Sequence, residues 1–82
     1  MYETAQKRLG ATIRRLRQAK GMSQESFAQS AGIERARYGR IERGEVNMTL
    51  AAMFALAHHL QVRPSDLLAG IPLADCAPAD TP

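Results

Sequence analysis

The chain has 82 residues, 45% of them hydrophobic, with one cysteine and no tryptophan; this supports one small core filled by aliphatic side chains and methionine, and excludes two. The lone Cys76 excludes an internal disulfide or a cysteine metal cluster and fits a reducing, cytoplasmic setting. The net charge of +3 is unevenly spread: residues 1–44 carry ten of the eleven Lys/Arg and four of the eight acids, a net of +6, whereas residues 45–82 net −3, so one half is suited to face a polyanion.

No internal repeat is present, and the periodicity predicts five helices. The first runs from about Glu3 to Lys20, because Ala5, Leu9, Ile13 and Leu16 recur at helical spacing while Lys7, Arg8, Arg14, Arg15 and Gln18 point the other way. Gly21 ends this helix. Gly10 inside it costs on the order of 1 kcal/mol relative to Ala. Residues 1–20 are too polar for the apolar segment of a signal peptide.

Ser23 is an N-cap for a second helix that ends near Gly32. Phe27, Ala28 and Ala31 face inward, and Ile33 plugs the turn. The third helix runs from about Arg35 to Arg43 and is closed by Gly44. Thr49 caps a fourth, through about Leu60, with Leu50, Met53, Leu56, Ala57 and Leu60 as its core face. The apolar run from Met48 to Ala57 is far short of the ~20 residues that span a bilayer. Pro64 opens a short fifth helix, with Leu67 and Leu68 inward and Gly70 at its end. Residues 1–70 form the domain; residues 71–82, with three prolines and little to bury, are expected to be a flexible tail.

The segment from Gln24 to Arg43 carries most of the functional information. Two short helices flank a turn containing Gly32, and the second has four arginines in nine residues; this is the pattern of a helix-turn-helix, in which one helix braces and the next enters the major groove. At about 100° per residue, Tyr38 and Ile41 fall on the inward side, with Glu34 between them and Glu42 at the edge. Arg35, Ala36, Gly39, Arg40 and Arg43 share the outward side, and Arg37 lies on a flank. Arginine donates two bonds to guanine O6 and N7, and alanine can touch a thymine methyl. Gly39 suits a close approach of backbone to DNA. Arg35, Ala36, Gly39 and Arg40 are therefore the candidate base contacts. Gln24 begins the second helix, where its side chain and the N-terminal amides can hold a phosphate.

Over residues 9–68 the chain resembles the Cro/C1-type, or XRE, helix-turn-helix family, which includes phage repressors and restriction–modification controller proteins. The matching pieces are Leu16-Arg17, Gly21-Met22-Ser23-Gln24, Phe27-Ala28, Ala31-Gly32-Ile33, Ile41-Glu42-Arg43-Gly44, Leu50, Leu56-Ala57, Leu60, Val62 and Pro64-Ser65-Asp66-Leu67-Leu68. The resemblance implies an all-α, compact five-helix, lambda-repressor-like fold with the helix-turn-helix at helices 2 and 3. It further implies a homodimer on a palindromic operator, with Arg35, Ala36 and Arg40 at bases and Gln24, Arg37 and Arg43 at phosphates or sugars. It also implies a structural ion pair between Arg17 and Glu42, which sit at the edges of their apolar stripes. Glu34, Arg37 and Gly39 depart from the residues common in the family, so no operator sequence carries over.

The fourth helix, TLAAMFALAHHL with its cap, contains no Asp, Glu, Lys or Arg. Phe54, Ala51 and His58 form a second apolar strip beside the core face. Such a bare helix in a small domain predicts a dimer contact, here assigned to Phe54, His58, Leu68 and Ile71, with Leu73 adjoining. His58 and His59 point about 100° apart and have no carboxylate or cysteine to complete a metal set. Neither a nucleophile–base constellation nor a phosphate-cradling glycine loop is evident. The chain is thus read as a sequence-specific regulator of transcription, not an enzyme and without a cofactor. It is read as a homodimeric repressor, or a controller that both represses and activates through RNA polymerase. The alternative is a DNA-binding antitoxin whose main partner is a toxin protein.

Overall fold

The computed structural model describes residues 3–76. They form α1 (Glu3–Ala19), α2 (Gln24–Ala31), α3 (Arg35–Glu42), α4 (Leu50–Leu60) and α5 (Pro64–Leu68), followed by a 3-10 turn at Leu73–Cys76. Helices α1 and α2 both pack against α3, α4 lies against α2, and α5 sits between α1 and α4. One core unites them: Leu9 and Ile13 of α1, Phe27 and Ala28 of α2, Tyr38 and Ile41 of α3, Leu56, Ala57 and Leu60 of α4, and Leu67 of α5. Phe27 and Tyr38 meet with ring centroids 5.3 Å apart at 51°, an arrangement that adds aromatic attraction to the burial of both rings. Partly buried Met22, Met48 and Met53 fill the remaining space, as expected of a core with so few aromatics.

Local chemistry sets the helix ends. The Ser23 hydroxyl accepts from the Ser26 amide at 3.0 Å and starts α2, and Thr49 does the same for α4 through the Ala52 amide at 3.1 Å. Gly32 ends α2 at φ 70°, a left-handed conformation that glycine adopts without a Cβ clash. This reversal lets the Ile33 amide bond back to the Ala28 carbonyl at 2.9 Å and delivers the chain into α3. Glu34 is the N-cap residue of α3 but makes no side-chain capping bond, and no ion pair joins it to Arg37 among the described residues.

Three placements differ from the sequence expectations. Leu50 is 64% exposed: it belongs to the apolar stripe by spacing but is the first residue of α4, before that helix meets the core. Leu68 is 43% exposed, because a helix as short as α5 turns only Leu67 fully inward. Residues 73–76, expected in a tail, fold back against α1, where the Arg8 guanidinium pairs with Asp75; Ile71 packs on the edge of the core. The rest of that expected tail, residues 77–82, lies outside the described residues.

Gly10 has a structural reason that its helix propensity hides. A Cβ there would lie 2.6 Å from the Ile41 carbonyl oxygen and would also meet the Glu42 carbonyl. Gly44, at φ 75°, is equally tight from the other side, since a Cβ would sit 2.6 Å from the Lys7 Cα. These two positions let α1 cross the end of α3 backbone to backbone.

Candidate nucleic-acid interface

α3 has only eight residues, too few to hold a helix by propensity alone. Its geometry comes from its inner side, where Glu42 gathers three neighbours. The Glu42 Oε2 accepts from Arg17 Nε at 2.7 Å and from the Tyr38 hydroxyl. Its Oε1 accepts from Arg17 Nη2 at 3.1 Å and from Gln24 Nε2 at 2.8 Å. Arg17 Nη1 donates onward to the Met22 carbonyl at 2.7 Å. Arg17 and Glu42 are each only 7% exposed, and among the described residues no buried side-chain polar atom is left without a partner. A paired, fully bonded buried charge is tolerated, whereas a stranded one is costly.

The network sets its own protonation. Burial pushes the Glu42 carboxyl up, but hydrogen bonds from Arg17, Tyr38 and Gln24 outweigh it and hold the group below its ordinary value. The bond to Glu42 raises Arg17 further into its charged range, and burial, followed by the same carboxylate, keeps the Tyr38 hydroxyl protonated. The site is therefore a fixed guanidinium–carboxylate–phenol cluster tying α1, α2 and α3 together.

The opposite side of α3 is exposed and basic. Arg35, Ala36, Arg40 and Arg43 lie there, open to solvent. Gly39 stands among them but is itself buried, because the Arg35 and Arg43 side chains lie over it; a Cβ at Gly39 would come within 2.9 Å of Arg35 Nη1 and 3.1 Å of Arg43 Nη1. The glycine thus provides a lane along which two guanidinium groups converge. Arg37 is on the α4 flank, lining a cavity of about 120 Å³ with Ile33, Ala52, Ala55 and His59; that is well below the ~300 Å³ at which ligand pockets begin.

Two contacts were not legible in the pattern. One amide hydrogen of Gln24 is committed to Glu42, so the residue assigned to phosphate also belongs to the scaffold. Glu45 reaches back over the Gly44 turn to Arg43, with Oε2 3.1 Å from Nε and Oε1 3.4 Å from Nη2, and stands 3.9 Å from Arg40 Nε. Its nearness in sequence to Arg43 offered a hint, but the direction depends on the left-handed turn at Gly44.

A third surface is apolar. Phe54 is 51% exposed on α4, beside exposed Ala51 and His58. Leu68 and Ile71 line a groove with Ala5, Asp75 and Cys76, and Leu73 is 87% exposed. His58 and His59 stack edge to face with centroids 5.4 Å apart, and among the described residues no three metal-binding side chains converge. No helix there is long and apolar enough to cross a membrane.

A bracing helix, a glycine turn and a scaffolded second helix that presents arginines outward define a helix-turn-helix DNA-binding domain. Comparison with known proteins agrees: the helix-turn-helix family HTH_3 matches residues 13–67, and the chain belongs to that family, of the Cro/C1 (XRE) type, whose relatives are regulators of transcription. It is 37% identical over 54 residues to the HTH-type transcriptional regulator SutR of Escherichia coli (strain K12), covering 66% of this chain and 30% of that protein's length. Among solved structures it resembles the restriction-modification controller protein C.AhdI from Aeromonas hydrophila (TM-score 0.74, 38% identity, 78% of this chain and 97% of that one). An HTH_3 family transcriptional regulator from Vibrio cholerae gives a TM-score of 0.78 at 28% identity, covering 90% of this chain and 42% of that one. The hypothetical transcription factor NHTF from Neisseria gives 0.76 at 28% identity, with 93% and 85% covered.

Proposed function

We propose that the chain is a sequence-specific, homodimeric regulator that binds a palindromic operator in the cytoplasm and represses transcription from it. The observation that carries this reading is the exposed arginine face of α3 mounted on the buried Arg17–Glu42 pair. Arg35 and Arg40, with Ala36 between them, read base edges in the major groove, whereas Gly39, buried under the Arg35 and Arg43 side chains, serves to seat those two groups rather than to meet a base itself. Arg43 and Arg37 hold phosphates, as do Gln24 and the α2 amides. The exposed strip of Phe54 and His58, with Leu68 and Ile71, pairs two copies so that their α3 helices enter successive major grooves about 34 Å apart. A dimer seated on a promoter blocks polymerase without further contacts, which favours repression over activation. The same apolar strip also suits a protein partner such as a toxin.

Selection of bound duplexes from random DNA, followed by footprinting on the selected site, tests the reading. The expected result is a palindromic consensus, a protected segment spanning two half-sites, and affinity that falls steeply with salt. Equal affinity for every duplex, or none at low salt, would overturn it. Sedimentation at tens of micromolar tests the dimer.

A further inference from the structure

We propose that Glu45 is a specificity-determining residue, a built-in anion beside the recognition helix that weakens phosphate-only binding more than base reading. The inference rests on the DNA-binding function proposed above. The geometry is specific. Glu45 engages two adjacent nitrogens of Arg43, at 3.1 and 3.4 Å, and lies 3.9 Å from Arg40 Nε. Arg40 of α3 and Arg43, the residue that caps its C-terminus, thus share one carboxylate. All three side chains are more than half exposed, so the carboxylate lies on the face offered to DNA and not in the scaffold. The hydrogen bond from Arg43 holds the Glu45 carboxyl below its ordinary value, so it is ionised at neutral pH.

The selectivity follows from what each kind of complex brings near that charge. On random duplex, basic side chains settle on phosphates, each carrying a full negative charge. A phosphate bound by Arg40 or Arg43 in place of Glu45 stands within a few ångströms of the carboxylate and is repelled. On the operator, Arg40 turns to a guanine edge, whose O6 and N7 carry only partial charge, so fewer phosphates crowd Glu45. The acid therefore subtracts more from sequence-blind binding than from the specific complex. Gly39 contributes by leaving room for the Arg35 and Arg43 guanidinium groups to converge over the helix; this concentrates positive charge that would otherwise grip any phosphate.

The test compares wild type with Glu45→Gln on two duplexes, the selected operator and a scrambled sequence, by fluorescence anisotropy across a salt series. Glu45 is exposed and outside the core, so thermal melting of the variant should match wild type. The variant should bind the scrambled duplex on the order of fivefold to tenfold more tightly, the worth of a like charge removed from about 4 Å in a near-aqueous dielectric. Its salt slope there should steepen by about 0.9, one more phosphate neutralised. Operator affinity should change by less than half of that factor, so the specificity ratio falls. Equal tightening on both duplexes would overturn the proposal and leave Glu45 as net charge only. Weaker binding to both would overturn it by making Glu45 a positioner of Arg43. Wild type silent on both duplexes at low salt would overturn the DNA-binding reading itself, a failure visible before the variant is measured.

Discussion

Replacing Gly10 by alanine sets two physical effects against each other, and the structure decides the sign. Helix propensity alone makes Gly10→Ala stabilising by about 1 kcal/mol, since α1 continues through this position and glycine is the poorer helix former. The packing opposes this. The new Cβ would meet the Ile41 carbonyl oxygen at 2.6 Å and the Glu42 carbonyl carbon at 2.8 Å, both backbone atoms that cannot rotate aside. Relief requires α1 to move away from the end of α3 by several tenths of an ångström. The same interface carries the 2.7 Å bond from Arg17 to Glu42, so the shift also stretches a buried charge pair. Overpacking of this kind costs about 1–3 kcal/mol, and the strained ion pair adds to it. The net expectation is a loss of about 1–2 kcal/mol, a fall in melting temperature of about 4–16 °C for a domain of this size. Urea denaturation followed by circular dichroism measures it, with Ala11→Gly on the exposed side of the same helix as the control for propensity, expected to lose about 1 kcal/mol. A Gly10→Ala protein more stable than wild type would refute the close crossing of α1 over α3.

Arg40→Ala should lose roughly 1–3 kcal/mol on the operator and relax selection at one base pair, whereas Arg43→Ala should weaken all sequences alike and lower the salt slope by about 1; equal losses on operator and random duplex for Arg40→Ala would remove it from the base-reading set. Because the Glu42 carboxyl is held below its ordinary value in the folded chain, its stabilisation is fully present above about pH 4.3, the unfolded value, and disappears as pH falls through the folded value. Urea midpoints from pH 7 to 3 should therefore fall less for Glu42→Gln than for wild type, and parallel curves would deny Glu42 that role. Phe54→Glu should shift a wild-type dimer to monomer in sedimentation at tens of micromolar while leaving the melting temperature nearly unchanged, since Phe54 is half exposed; an unaltered sedimentation coefficient would move the dimer contact elsewhere.

Helix boundaries were legible to within a residue or two because each is written in short-range chemistry: Ser23 and Thr49 as caps, Gly32 as a left-handed stop, Pro64 as an opener. The core was legible where spacing and helix interior coincide, at Ile13, Phe27, Leu56 and Leu67. It was illegible at Leu50, where the stripe continues past the point at which α4 meets its neighbours. The outward arginines followed from angular position alone. Gly10 shows the limit of local reasoning, since propensity registers a defect where the tertiary fold requires close approach. The bonds of Gln24 to Glu42 and of Glu45 to Arg43 were illegible for a related reason. Which partner a polar side chain meets depends on the path of the backbone through a turn, and that path is set by Gly32 and Gly44 acting with contacts far away in sequence.

On the function proposed above, the two faces of α3 divide stability from recognition. Arg17, Tyr38 and Gln24 converge on Glu42 from three helices, so a segment too short to be helical alone is already in its final conformation before any duplex arrives. The ordering entropy of its backbone is thus met by folding rather than by binding, which leaves more of the contact free energy to appear as affinity. The arginines on the other face are long, exposed and only loosely paired, so they can reorganise on the DNA without disturbing that base. Changes at Glu42 should therefore act on DNA binding through the folded fraction, in step with stability, whereas changes at Arg35 or Arg40 should alter binding at constant stability.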